Sequence, residues 1–116
     1  MPHIHLETTA DLPENAQVPD ILEALTARLA EFDSVDSAAI KSYHSLRSIW
    51  HMGEGAPSGF GHCTVSILAG RNEVVRRQIA DALFRVMREQ FAESLEADEV
   101  GVTVDIREMD AVTYRK

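Results

Sequence analysis

The chain has 116 residues, 11 basic and 19 acidic side chains for a net charge of −8, and 45% hydrophobic against 26% charged residues. That length suits one domain with a modest core, and the acidic balance argues against nucleic acid or an anionic membrane as partner. With no 18-residue apolar run and no signal-peptide core, a cytoplasmic location is expected, and the single cysteine, Cys63, forbids an intrachain disulfide.

The first stretch, PHIHLET, alternates. Pro2, Ile4 and Leu6 share one face and His3, His5 and Glu7 the other, as a half-buried strand requires. TADLPENAQ reads as a loop. Pro19 suits the first turn of a helix over DILEALTARLAEF, whose buried stripe is Ile21, Leu22, Leu25, Leu29 and Phe32. SAAIKSYH and RSIWHM then read as strand segments, before the turn-rich GEGAPSG. In GHCTVSIL, Cys63, Val65 and Ile67 alternate with His62, Thr64 and Ser66, so Cys63 reads as a core position and not a nucleophile. Asn72 is placed to cap a helix running to about Phe91, with Val75, Ile79, Ala82, Leu83, Val86 and Met87 as its stripe. VGVTVDIREM reads as a last strand, followed by the tail DAVTYRK.

The order repeats itself. HIHLE falls on HCTVS at a shift of 59 residues, and Ile21, Ala24 and Leu25 fall on Ile79, Ala82 and Leu83 at a shift of 58. The pattern predicts an α/β fold of the two-layer α+β kind: a tandem β-α-β repeat, residues 1–58 and 59–116 of a single domain, forming a four-stranded mixed sheet with two helices on one face. Such a sheet leaves its other face bare, and a closed oligomeric ring would cover it.

MPH at the start, IKSYHSLRSIWHMGEG in the middle, GR after the third strand and EMDAVTYRK at the end resemble the 5-carboxymethyl-2-hydroxymuconate isomerase family of the tautomerase superfamily. CTVSILAGRNEVVRRQIADALFRVM is also similar to a single unit of the shorter 4-oxalocrotonate tautomerases. The resemblance implies a homotrimer with active sites near subunit boundaries. It also implies a cofactor-free 1,3-proton shift that ketonises an anionic dienol dicarboxylate. The superfamily's catalytic group is an N-terminal proline exposed by loss of the initiator methionine, which here is Pro2.

An α-amine has a reference pKa of about 7.7–8.0, and burial or nearby cations lower it toward neutrality, so a free Pro2 nitrogen suits a general base. A retained Met1 would convert it to an inert amide. Arg71, between a strand end and a helix start, matches the arginine of the superfamily's GR motif and can hold a carboxylate bidentately. Lys41 stands where the isomerase family carries an arginine; it can neutralise a carboxylate or polarise a carbonyl, but lacks the planar fork. Arg47 is a candidate to compensate. Tyr114 follows Met109 at the spacing of an aromatic wall residue in the shorter tautomerases, a role the resemblance implies for it, and Trp50 is a second candidate for the cavity wall. His3, His5, His44, His51 and His62 lack metal-site spacing and read as interface or solvent histidines, so no metal is expected. Neither a phosphate-cradling glycine loop nor a Gly-x-Ser-x-Gly elbow is present. Two alternatives stay open: a noncatalytic trimeric homologue, and hydratase- or dehalogenase-type chemistry in which a protonated Pro2 acts as an acid.

Overall fold

The computed structural model describes residues 2–116. Four strands, β1 (His3–Thr9), β2 (Lys41–Arg47), β3 (Gly59–Leu68) and β4 (Val100–Met109), form one sheet in the order β2-β1-β3-β4. β1 pairs parallel with β2 and β3 parallel with β4, while β1 and β3 meet antiparallel at the centre, His3 opposite Ser66 and Glu7 opposite His62. Each parallel pair is joined through a helix: α1 (Val18–Ala30) between β1 and β2, and α2 (Glu73–Gln90), followed by the short α3 (Ala92–Glu96), between β3 and β4.

Strand alternation decides which face is covered. Ile4 and Leu6 of β1 and Cys63, Val65 and Ile67 of β3 point into one cluster with Ile21, Leu25 and Leu29 of α1 and Ile79, Leu83 and Met87 of α2. Both helices therefore lie on the same side of the sheet, in the expected two layers. Cys63 is fully buried there, and burial pushes its thiol up to about 12, which leaves it a packing residue. The opposite face is polar. It carries His3, His5 and Glu7 beside Lys41, Tyr43, Ser45 and Arg47, with His5 stacked on Tyr43 at 4.6 Å and hydrogen-bonded to Ser45 Oγ at 2.8 Å.

Local signals set the helix ends. Asn72 Oδ1 accepts from the backbone N–H of Val75 at 2.9 Å and starts α2 as its sequence suggests. α1 begins at Val18, with Pro19 in its first turn, and ends at Ala30 where the expected helix ran to Phe32; Glu31 and Phe32 close it with tightened bonds to Arg28 O and Leu29 O.

Three stretches differ from expectation. Ser37–Ala39, expected to open a strand, form a single 3₁₀ turn in which the Asp36 carboxylate accepts from Ala38 N, so β2 begins only at Lys41. Residues Pro13–Gln17 form a short 3₁₀ helix where a loop was expected. Within it, buried Glu14 accepts from both the N–H (3.0 Å) and the hydroxyl (2.6 Å) of Ser94, a contact 80 residues away that local sequence cannot reveal. RSIWHM is not a strand beyond Arg47. β1, the neighbour of this edge strand, ends at Thr9 opposite Arg47, so among the described residues the ladder stops there, and the Trp50 indole N–H instead donates to Ser58 O at 2.9 Å, folding 48–58 into a loop. Among the described residues no helix is long and apolar enough to cross a membrane.

Candidate active site

Four connections converge at one end of the sheet: the start of β1, the α1–β2 loop, the β3–α2 turn and the tail after β4. Between them lies a cavity of about 210 Å³ lined by Pro2, Ser34, Asp36, Leu68, Arg71 and Lys116. Pro2 is buried, and its carbonyl accepts from Lys41 N at 3.0 Å, which fastens it to the start of β2. The expected removal of Met1 concerns a residue outside the described ones.

Arg71 follows Gly70, whose φ of +127° is a conformation that L side chains rarely adopt. From this turn the guanidinium donates to Ser34 Oγ (3.0 Å), Ser34 O (2.6 Å) and Leu68 O (3.2 Å). Three of its five N–H groups are so engaged, which fixes its plane against the α1–β2 loop and leaves one N–H on each terminal nitrogen for a ligand. Arg76 steadies the turn from behind by donating to Arg71 O at 3.3 Å and facing Glu108 at 3.7 Å.

Lys41 opposes His3 in the β1–β2 register and shares its face of the sheet. His3 Nε2 lies 2.8 Å from the Tyr114 hydroxyl, and the two rings meet edge-on at 5.9 Å. Burial, reinforced by the charge of Lys41, holds the His3 pKa below its ordinary 6.5. Asp36 is the acidic group of the cavity wall, and its carboxylate accepts from Ala38 N at 3.2 Å.

Of the residues singled out from sequence, Pro2, Arg71, Lys41 and Tyr114 come together at this end. Arg47 and Trp50 do not, within one chain. Arg47 pairs with Thr9 at the far end of β1, roughly 20 Å along the strand at about 3.3 Å per residue. There its guanidinium is taken by Glu7 through bonds of 2.9 and 2.6 Å, which hold the Glu7 carboxyl below its ordinary 4.5. Trp50 lies beyond it, bonded to Ser58. Conversely His3, Ser34, Asp36 and Lys116 stand at the cavity or beside it without having been singled out for it. For Ser34 and Asp36 the available signal was their place just before β2, at the Pro2 end of the sheet. For His3 it was its position next to Pro2.

The geometry offers a buried proline, an oriented arginine and a lysine at the neighbouring strand start, a combination able to bind an anion beside a nitrogen. A family model described as 5-carboxymethyl-2-hydroxymuconate isomerase matches residues 2–116. The 5-carboxymethyl-2-hydroxymuconate Delta-isomerase of Escherichia coli is 27% identical over 110 residues, covering 94% of this chain and 87% of that protein. The crystal structure of a 5-carboxymethyl-2-hydroxymuconate isomerase from Deinococcus radiodurans R1, 29% identical, matches with a TM-score of 0.89 over 99% of this chain and 87% of that one. A fused 4-OT described as a symmetric trimer shares the fold at 16% identity, with a TM-score of 0.73 over 98% of this chain and 90% of that one. With the match running from Pro2 through the last residue, the chain belongs to the 5-carboxymethyl-2-hydroxymuconate isomerase family and is an isomerase of the tautomerase type.

Proposed function

We propose that the chain ketonises an unsaturated di- or tricarboxylate enol such as 5-carboxymethyl-2-hydroxymuconate, without a cofactor, using Pro2 as its base once Met1 has been removed. The observation that carries this reading is a single one: buried Pro2 and oriented Arg71 line the same cavity. In the proposed reaction the Pro2 nitrogen accepts the proton released by the enol oxygen. The electron pair shifts across the three-atom unit to make the carbonyl, and the ammonium returns the proton to the carbon at its far end. Arg71 and Lys41 hold carboxylate or developing enolate oxygens and disfavour the protonated amine, keeping the nitrogen unprotonated and able to accept a proton near neutrality. Tyr114 serves as part of the wall that excludes water.

The bare polar face of the sheet supports a homotrimer, with residues 1–116 as one domain in each subunit. In such a ring Arg47 and Trp50, remote from the Pro2 cavity of their own chain, serve a neighbour's site. A cytoplasmic enzyme that needs no nucleic acid or membrane partner accords with the acidic charge.

The test compares ketonisation by protein of verified intact mass with that of Pro2→Ala. The expected loss is about 10²-fold or more in kcat/KM, the scale of general acid–base catalysis; equal rates would remove Pro2 from the mechanism. A second reading is favoured by Asp36. A carboxylate on the cavity wall stabilises a protonated amine, and a protonated Pro2 would act as an acid in hydration- or dehalogenation-type chemistry. The pH–rate profile separates the two: a base loses activity as pH falls, an acid as pH rises.

A further inference from the structure

The tail after β4 turns back on itself. Asp110 O accepts from Thr113 N (3.2 Å) and Tyr114 N (3.0 Å), and Asp110 Oδ1 accepts from Val112 N (2.9 Å). Among the described residues, Arg115 donates within the tail, to Val112 O and Tyr114 O. Val112 is 75% exposed, so the segment is not held by apolar burial. Among the described residues, the hydrogen bond that ties 110–116 to the rest of the chain is the one between Tyr114 OH and His3 Nε2. Yet this same segment delivers Lys116 to the wall of the Pro2 cavity.

We propose that His3 is a positioning residue: its imidazole latches Tyr114 and so docks segment 110–116 as a removable wall of the Pro2 cavity, tightening the site around a dicarboxylate. The inference rests on the Pro2 cavity being the substrate site. His3 is suited to the part because it is neighbour to Pro2 in the chain and its backbone is held in β1 opposite Lys41 and Ser66, so the anchor sits at a fixed place beside the base. A wall held by one side-chain contact opens locally far more easily than the sheet beneath it, which gives a route in for substrate without disturbing the strands. Closure around the bound anion would bring the cation-bearing tail against it, so the latch acts on binding more than on the proton transfer itself.

The experiment uses the full chain as wild type, Tyr114→Phe, His3→Ala, His3→Gln and the double variant Tyr114→Phe/His3→Ala. Two quantities are read: amide hydrogen exchange at Thr113 and Tyr114 in the free protein, and the Kd for adipate, a saturated dicarboxylate probe. Tyr114→Phe and His3→Ala should each speed tail exchange and weaken adipate binding by about five- to tenfold, the factor expected for one lost hydrogen bond. The double variant should be no worse than either single change, and His3→Gln, which keeps a hydrogen-bonding group, should restore most of the effect. In turnover the change should fall mainly on KM. Unchanged tail exchange in Tyr114→Phe overturns the latch, and faster exchange with unaltered adipate affinity overturns the wall. Tyr114→Phe leaves the core untouched, so its result stands even if His3→Ala folds poorly. A Pro2→Ala protein that keeps full activity while tail exchange still depends on His3 would refute the catalytic reading and leave the latch intact.

Discussion

At the end of the sheet where β1 begins, Pro2, Leu68 and Arg71 leave about 210 Å³ unfilled, whereas the end where β3 begins is packed and bonded shut. The halves of the chain follow one plan, so the two ends are counterparts: at the 59-residue shift Pro2 falls on Gly61. A Cβ added at Gly61 would lie 3.3 Å from the ring of Phe91, and one at Gly59 would strike the side chains of Thr9 and Asp11. Phe60 N donates to Thr9 Oγ1 at 3.1 Å, Ser58 Oγ to Asp11 at 3.2 Å, and Gly59 N to Glu99 O at 3.1 Å. Topology makes both ends equally eligible for a site. Side chains choose between them, by filling one with an aromatic ring and lining the other with cations.

Changes at the two ends should therefore separate stability from activity. The largest effect is expected from Phe91→Ala, which empties the packed end and should cost about 3–5 kcal/mol in denaturant unfolding while the turnover of folded enzyme stays within about twofold. A comparable loss of turnover would show the ends to be coupled. Arg71→Ala should lower kcat/KM by about 10²-fold, or ~2.7 kcal/mol, by removing an oriented carboxylate ligand. Its cost in stability, about 1–2 kcal/mol from the freed contacts to Ser34 and Leu68, should be the smaller term when both are measured on one preparation. Gly61→Ala should destabilise by about 1 kcal/mol, because the Phe91 ring must give by a few tenths of an ångström, and should leave KM unchanged.

The smallest effect is graded with pH. His3 and His44 have folded pKa values lowered from 6.5, chiefly by burial, so the unfolded chain binds protons first as pH falls. Their contribution is whole above about pH 6.5 and declines below it; that of Glu7, lowered from 4.5 by its bond to Arg47, declines below 4.5. Cys63 acts in the other direction. Its thiol, raised from 9.0 to about 12, keeps its proton in the fold, so stability should fall as pH rises beyond 9. Urea midpoints across pH measure these slopes, and His3→Gln should flatten the first step on the Pro2 side alone.

The strands and helices were legible where a local pattern and a tertiary role agreed. Val100, Val102, Val104 and Ile106 alternate toward the core, and β4 has the expected bounds. Asn72 caps α2 because its side chain needs only the backbone three residues on. Sequence was silent where partners are distant. Nothing in PENAQ announces that Glu14 will bond Ser94, and nothing in RSIWHM reveals that β2 has no neighbour to pair with beyond Arg47. In the candidate site, Pro2 and Arg71 were legible through family resemblance and strand parity. The contact between His3 and Tyr114 joins positions 111 residues apart, and Arg47, a free cation in the sequence, is already committed to Glu7.

The carbonyl of Pro2, bonded to Lys41 N, has one further consequence. A residue within central β1 brings the sheet both a donor and an acceptor, but an imino acid at the threshold of that strand brings only the latter. The architecture thus makes no claim on that nitrogen. Whatever reactivity it acquires comes at no expense to the ladder, so selection could tune it without having to rebuild the strand that carries it.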